Sequence, residues 1–282
     1  MFPQISQLFV YPIKSCSGIP VGHFQLDEKG PLFDRRWMLV DSETGIFLSQ
    51  REIPQMALIS TRIEDGTVWA SQSSELSIDA VIDEEFCLPT EGKLIDATVW
   101  ADDVSGYDCG DAAASWFSKV LGISCRLVYQ GDCSREGSKK YMLDGGEVSF
   151  ADGFPLLVVA QSSIDVLNEA CEAEIGATNF RPNIVVKNTP AFSERQWLSL
   201  VVDQLDEQEV GLGMTVVKPC ERCVIPSLNP KTAKREAGII PTLVKFCRID
   251  KKIIFGQNLA FEYFKGAELK VGQSLNIDQR DG

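Results

Sequence analysis

The chain has 282 residues, 44% hydrophobic and 24% charged, with a formal net charge of −13. Such a composition is that of a globular protein long enough for two domains, and its acidity excludes a general nucleic-acid surface, which needs clustered Lys and Arg. No apolar run nears the roughly 18–20 residues that cross a bilayer. The start, MFPQISQLFV, has neither a signal-peptide nor a transit-peptide pattern, so a cytoplasmic protein without a membrane partner is expected.

The first hundred residues read as short strands: QISQLFVYPI (4–13), VGHFQLDE (21–28), RWMLVD (36–41), GIFLSQ (45–50) and LISTRIE (58–64), then TVWASQ and LSIDAVI. Asp-Ser-Glu-Thr-Gly and Glu-Asp-Gly turns separate several of them, at spacings typical of a barrel or sandwich. After Cys109 the texture changes. Asp111 is placed to N-cap a helix DAAASWFSKVLG that Gly122 closes. A strand CRLVYQ follows, then a polar, Gly-rich loop over 130–147. A second helix is expected at SSIDVLNEACEAE (162–174), capped by Ser162 or Ser163, with apolar residues at 164, 167, 170 and 171. From NFRPNIVV onward the chain reads as strands, ending in LKVGQSLNI. Helices are few and do not alternate with the strands, which disfavours a doubly wound parallel sheet. The expectation is mainly antiparallel β with a few helices, divided near residues 110–150.

Nine cysteines are an odd number, in a long chain with no export signal. They are expected to be reduced, with Cys16, Cys87, Cys125, Cys133 and Cys171 acting as buried small hydrophobes. Charge is unevenly spread. Residues 218–252 hold nine Lys/Arg and three Asp/Glu, a local +6 that leaves −19 for the rest. A basic island in an acidic chain suggests contact with an anion; a solvated basic face is the plainer alternative.

At the start of that island lies KPCERCVIPSLNP (218–230). A structural zinc site needs a second ligand pair, but the only other nearby thiol is Cys247 and the sole histidine is the remote His23. A thioredoxin-like dithiol opens a helix, which Pro226 and Pro230 prevent here, so the segment reads as a loop. The spacing of a plant-type iron–sulfur cluster is absent. What remains is a single functional thiolate among Arg and Lys, which lower a thiol pKa and attract an anionic cofactor; thiolate suits a soft metal.

Several other segments are informative when read together: FVYPIKSCSGIPV (9–21), FDRRWMLVD (33–41), YDCGDAAASWF (107–117), FADGFPLLVVAQSS (150–163), ATNFRPNIVV (177–186), PCERC (219–223) and GAELKVGQSL (266–275). Their order and spacing resemble the MOSC family (molybdenum cofactor sulfurase C-terminal domains) with its N-terminal β-barrel domain. The likeness is greatest to the amidoxime-reducing branch, the mitochondrial amidoxime reducing component and its bacterial counterparts. The resemblance implies an N-terminal MOSC β-barrel domain over residues 1–122 and a MOSC β-barrel domain over 123–282. It also implies a molybdenum pyranopterin cofactor (molybdopterin), with Cys223 as the protein's thiolate ligand to the metal.

The same resemblance assigns the remaining site residues. Lys14 and Ser15 are expected to anchor the phosphate or pterin end of the cofactor, the alternative for Lys14 being a loop lysine in water. Arg35 resembles a buried cofactor-contacting arginine, while Arg36 reads as a strand surface residue. Arg181 and Asn183 bracket a proline that aims both at the pterin, the alternative being a solvent-facing turn. Asp152, followed by Gly153, matches an acid near the metal. It is a proton relay if burial raises its pKa, or otherwise an Asx-turn residue. Arg222 adds positive charge, and Cys220 packs or supports the loop.

Two departures stand out. Glu221 occupies a position that is often small and hydroxylated in the family, and an acid there repels a phosphate unless it turns outward. Asn229-Pro230-Lys231-Thr232-Ala233 replaces the family's Asp-Pro-x-Thr-Gly turn. The resemblance implies reduction of small N-hydroxylated compounds (amidoximes, hydroxylamines, N-hydroxylated bases) by N–O cleavage with two electrons and two protons. The alternative it leaves is a carrier of the cofactor or of sulfur. The chain ends soon after LKVGQSLNI without a ferredoxin-type segment, so the expected electron donor is a separate ferredoxin- or flavin-type reductase, with the basic 231–252 region as its docking surface, or a further domain outside this sequence.

Overall fold

A computed structural model describes residues 2–72, 85–141, 146–202 and 211–280. It is mainly β, with four α-helices among the described residues: α1 (Gly110–Leu121), α2 (Gln161–Glu169), α3 (Ala177–Phe180) and α4 (Ile239–Cys247).

The largest element is a nine-stranded sheet. Across it lie Leu275–Gln279, Trp197–Val202, Gly213–Glu221, Lys252–Phe261, Leu156–Ala160, Ile184–Lys187, Gln4–Val10 and Ile19–Val21, with Arg248–Ile249 paired to Lys252–Phe261 off this path. All neighbours are antiparallel except Leu156–Ala160 and Ile184–Lys187, which run parallel. A parallel pair needs a crossover, and α2 and α3 supply it.

The apolar runs PLLVVA and NIVV are explained by burial on both faces. Successive side chains of a strand point to opposite sides. Leu156, Val158, Ala160, Ile184 and Val186 enter one core with Ile5, Leu8 and Leu259. Val159 and Val185 enter another, with Ile164 and Leu167 of α2 and Ile239, Leu243 and Cys247 of α4. A third core joins α1 to the N-terminal strands through Ala113, Phe117, Val120 and Leu121, packed with Trp37, Leu39 and Leu127.

The division expected at residue 122 does not follow the strand pairing. Gln4–Val10 pairs with Ile184–Lys187, and His23–Asp27 pairs with Glu268–Lys270. Conversely, Cys125–Tyr129 pairs with Trp37–Asp41 and Asp102–Asp108. Each half therefore lends strands to the other.

Several local expectations need correction. Gly122 does close α1, with φ 69° and its N–H on Ser118 O at 2.8 Å, but Asp111 is not the cap. It lies within the first turn and pairs with Arg126 at 3.0 Å, while Asp108 Oδ1 accepts the Gly110 N–H. Helix α2 starts at Gln161, directly after the strand, so Ser162 and Ser163 are inside it. Ser163 instead joins buried Glu194 at 2.8 Å. Helix α4 was missed because its run IIPTLVKFC is apolar at nearly every position, hiding the i, i+4, i+8 burial of Ile239, Leu243 and Cys247. Pro241 is tolerated at its third position, where the N–H has no intrahelical partner.

GIFLSQ forms only isolated bridges at Ile46 and Phe47. Arg36 is buried rather than on the surface, with its guanidinium 2.6 Å from Asp27. Cys87 is exposed, and Cys133 and Cys171 are only half-buried. LSIDAVI lies outside the described residues. No helix among the described residues is long and apolar enough to cross a membrane.

Because Phe117 is fully buried where α1 meets the N-terminal strands, Phe117→Ala should destabilise the fold by about 3–5 kcal/mol. Urea unfolding measures this, and a loss within experimental error would show that α1 does not close that core.

Candidate functional site

Several segments distant in sequence knit together to build one cavity. Residues 11–14 run beside 35–37 through Arg35 N–Tyr11 O (2.7 Å), Trp37 N–Pro12 O (3.1 Å) and Lys14 N–Trp37 O (2.8 Å). Phe150 N donates to Arg35 O, Asn183 N to Leu157 O, and Arg222 N to Ile253 O. The space between them is about 290 Å³. Every residue singled out for the site lines it: Lys14, Ser15, Arg35, Asp152, Gly153, Arg181, Asn183, Glu221, Arg222 and Cys223.

Behind the cavity sits Asp34, which has no exposed surface. One carboxylate oxygen accepts the Tyr11 amide (2.9 Å) and the Asn183 side-chain amide (3.1 Å), and the other accepts Arg35 at 2.5 Å. Tyr11 is then held between two cations. The Arg35 guanidinium lies 4.6 Å from its ring centre and that of Arg181 lies 4.3 Å away. Gly18 permits this, since a Cβ there would stand 2.3 Å from the Tyr11 ring. Burial is the largest influence on Arg35 and acts against its charge, yet Asp34 outweighs it and the pKa rises. Arg181 has no carboxylate so close, and burial, aided by Arg35, brings it down to about 10. Both guanidiniums remain charged near neutral pH.

Ser15, Arg35 and Arg181 all have left-handed backbones, at φ 68°, 52° and 55°. Non-glycine residues pay of order 1–3 kcal/mol each for this region, and here three of them share one wall. Arg181 donates through Nη1 to Cys16 O at 2.7 Å. Arg222 donates to Phe255 O (2.8 Å) and Phe180 O (2.9 Å). Nη2 of each of these two arginines is buried and has no hydrogen-bond partner among the described residues. Gly256, at φ 78°, makes room for Arg222: a Cβ would lie 2.8 Å from Val158 O and 3.1 Å from that Nη2.

Other site residues behave differently from expectation. Asn183 lines the cavity, but its amide is engaged by Phe9 O, Asp34 and Leu157 N, so it positions the wall and offers no free donor. Lys14 is buried, not in water. It donates to Asp152 at 2.5 Å and Phe150 O at 2.8 Å, and burial draws its pKa down while Asp152 opposes this.

The Asp152 side chain is 76% exposed. Desolvation by the surrounding cavity works to raise its pKa, but Lys14 and the Trp100 N–H (3.1 Å) prevail and hold the carboxyl well below the usual range. The condition for an acid of raised pKa is therefore not met: Asp152 is an ionised partner of Lys14. Gly153 takes φ 149°, a conformation open to glycine.

Glu221 does turn aside. Lys252 at 2.8 Å and Lys218 at 3.3 Å hold its carboxylate and keep its pKa low. Cys220 belongs to the strand Gly213–Glu221, not to a loop, and burial pushes its thiol pKa up. Cys223 follows the strand, and its Sγ accepts the Ile225 N–H at 3.5 Å. Among the described residues no group of three or more His, Cys, Asp and Glu is arranged to hold a metal ion.

Sequence reasoning missed Tyr11, Asp34 and Trp100. Trp100 lies at the tip of the hairpin Lys93–Asp108 with φ 58°, packs edge-on against Phe47 at 4.6 Å and orients Asp152. Its only sequence signal was a tryptophan in a turn before Asp-Asp.

Because Asp152 ionises more readily folded than unfolded, its contribution to stability is complete above the unfolded value of about 3.9. That contribution is lost as pH falls from there toward the folded value. Asp152→Asn should lower the urea midpoint at neutral pH, and the gap to wild type should close in acid. A gap independent of pH would contradict this assignment.

Comparison with known families matches residues 2–124 to the MOSC N-terminal beta barrel domain and residues 145–276 to the MOSC domain. The chain is 30% identical over 277 residues to mitochondrial amidoxime-reducing component 1 of Mus musculus, covering 92% of this chain and 77% of that one. It is 30% identical over 291 residues to mitochondrial amidoxime reducing component 2 of Bos taurus, covering 96% and 82%. The molybdenum cofactor sulfurase of Bos taurus is 32% identical over 276 residues, which are 89% of this chain and 29% of that one. With both domains matched in order and these relatives aligned along most of its length, the chain belongs to the MOSC family.

Proposed function

We propose that the protein is an oxidoreductase that binds a molybdenum pyranopterin cofactor in this cavity and reduces small N-hydroxylated compounds. The observation that carries the proposal is that Arg181 and Arg222, each with a buried Nη2 that has no hydrogen-bond partner among the described residues, line one cavity together with Cys223. A buried donor left unpaired costs about 1–3 kcal/mol, and an anionic group with several acceptors removes that cost. A phosphorylated pterin is such a group, and Cys223 would give a soft metal its protein thiolate. The relatives named for amidoxime reduction support the reaction class.

In this reading Arg181 and Arg222 bind the anionic part of the cofactor, and Arg35 fixes the wall through Asp34 and Tyr11. Arg181 also lines an adjoining cavity of about 180 Å³ with Ser17, Thr178 and Lys231, which leaves room for an extended ligand. Asp152 and Trp100 border the cavity, where the ionised carboxylate accepts hydrogen bonds from substrate N–H or O–H groups. When bound, the cofactor supplies the two-electron chemistry that cleaves the N–O bond. The balance is N–OH plus two electrons and two protons, giving N–H and water, so a separate electron donor is required.

A carrier of the cofactor or of sulfur is the second reading, favoured by the similarity to the molybdenum cofactor sulfurase. Expression in a host that makes the cofactor separates the two. Stoichiometric molybdenum and pterin, lost in Cys223→Ala, with benzamidoxime reduced by a chemical donor, is the expected result. Molybdenum without turnover would favour the carrier, and zinc without pterin would overturn both.

The double variant Arg181→Gln/Arg222→Gln should fold yet lose pterin by at least about tenfold, each charge-assisted bond contributing roughly 1.5–3 kcal/mol. Released pterin per protein measures this. Full retention would refute their assignment as the anion site.

A further inference from the structure

Cys223 has two environments. One side lines the cavity, and the other lines a separate depression of about 360 Å³ whose remaining walls are Arg51, Arg222, Val224, Ile240 and Ile253. Arg222 and Cys223 line both, so this outer depression adjoins the proposed cofactor site. Its apolar part is accessible: Val224 is 44% exposed, and Val244, one turn beyond Ile240 on α4, is 38% exposed.

Cations edge this apolar centre. Arg235 donates to Arg51 O at 3.0 Å and to Val224 O at 3.5 Å, which fixes its charge beside the depression. The ion pairs of this basic region are Lys218 and Lys252 with Glu221, and Lys231 with Glu174. Arg51, Lys234, Arg235, Lys245 and Lys251 thus have no carboxylate partner among the described residues. Elsewhere the chain is strongly acidic, so this patch is where a negatively charged protein is drawn in. A small apolar centre with a charged surround matches the short-lived contacts of redox carriers, which bury little area.

We infer that the depression behind Cys223, bounded by Val224, Ile240, Ile253, Arg51 and Arg235, is the docking surface for a small acidic one-electron carrier protein. The inference rests on the proposed role of Cys223. Each N–O bond cleaved consumes two electrons and two protons, so a one-electron carrier docks twice per turnover and leaves oxidised each time. Docking here places it against Arg222 and Cys223, which also line the proposed cofactor site.

The test uses the cofactor-loaded protein with two electron sources, reduced methyl viologen and a reduced plant-type ferredoxin, a small acidic carrier. Arg235→Glu is one variant. Lys245→Glu/Lys251→Glu is a second, which disturbs no hydrogen bond described above. Viologen-driven benzamidoxime reduction should be unchanged in both. Ferredoxin-driven reduction, and ferredoxin binding measured by calorimetry at low salt, should fall by at least about tenfold, with a weaker dependence on salt. Ferredoxin-driven rates equal to wild type in both variants would overturn the surface. A wild type driven by viologen but not by ferredoxin would overturn the partner class. Absence of viologen-driven turnover would instead overturn the role of Cys223 on which the inference stands.

Discussion

The Asp34 carboxylate is buried where strands from distant parts of the chain end, and the site is arranged around it. Removing a carboxylate from water costs several kcal/mol unless donors replace the lost hydration. Here the Tyr11 amide, the Asn183 side chain and the Arg35 guanidinium do so. Meeting that requirement anchors the Tyr11 backbone, and the guanidiniums of Arg35 and Arg181 both pack against its ring. Asn183 extends the network to Phe9 and Leu157, tying the first strand of the chain to two strands of the second half.

Several unfavourable features meet at this cavity. Three left-handed residues, two arginines each with a buried unpartnered nitrogen, and a buried lysine line it. Such features persist where surrounding structure over-determines them, and the apolar cores on both faces of the large sheet provide that support. Together they leave a fixed, electropositive demand for an anion inside a chain of net charge −13. Asp152 and Glu221 do not cancel it, because lysines engage both carboxylates.

Strand exchange between the halves explains why the cavity lies where it does. Residues 4–10 and 23–27 pair with strands from the C-terminal half, while 125–129 pairs with the N-terminal sheet. The segments 11–15 and 35–37 are thereby held against 150–153, 181–183 and 220–223. Neither half holds all the residues of the wall.

Much of the architecture was legible in the amino-acid order. Most strands and α1 with its Gly122 stop follow from apolar patterning and turn residues, because these depend on neighbours in sequence, whereas the residues lining the cavity were named through the resemblance to the MOSC family. Local patterning failed where tertiary contacts dominate. Ser163 was drawn into a pair with Glu194 and not into a cap, α4 was masked by uniform hydrophobicity, and Arg36 was buried by Asp27. The motifs named which residues meet but not what each does there. Only the fold decided that Asn183 is fully engaged, that Lys14 keeps Asp152 ionised, and that Lys218 and Lys252 hold Glu221. Those outcomes depend on through-space partners between 3 and 174 positions away in the chain, from Lys218–Glu221 through Lys14–Asp152 to Phe9–Asn183. Hydration and charge act across space, so sequence proximity carries no information about them.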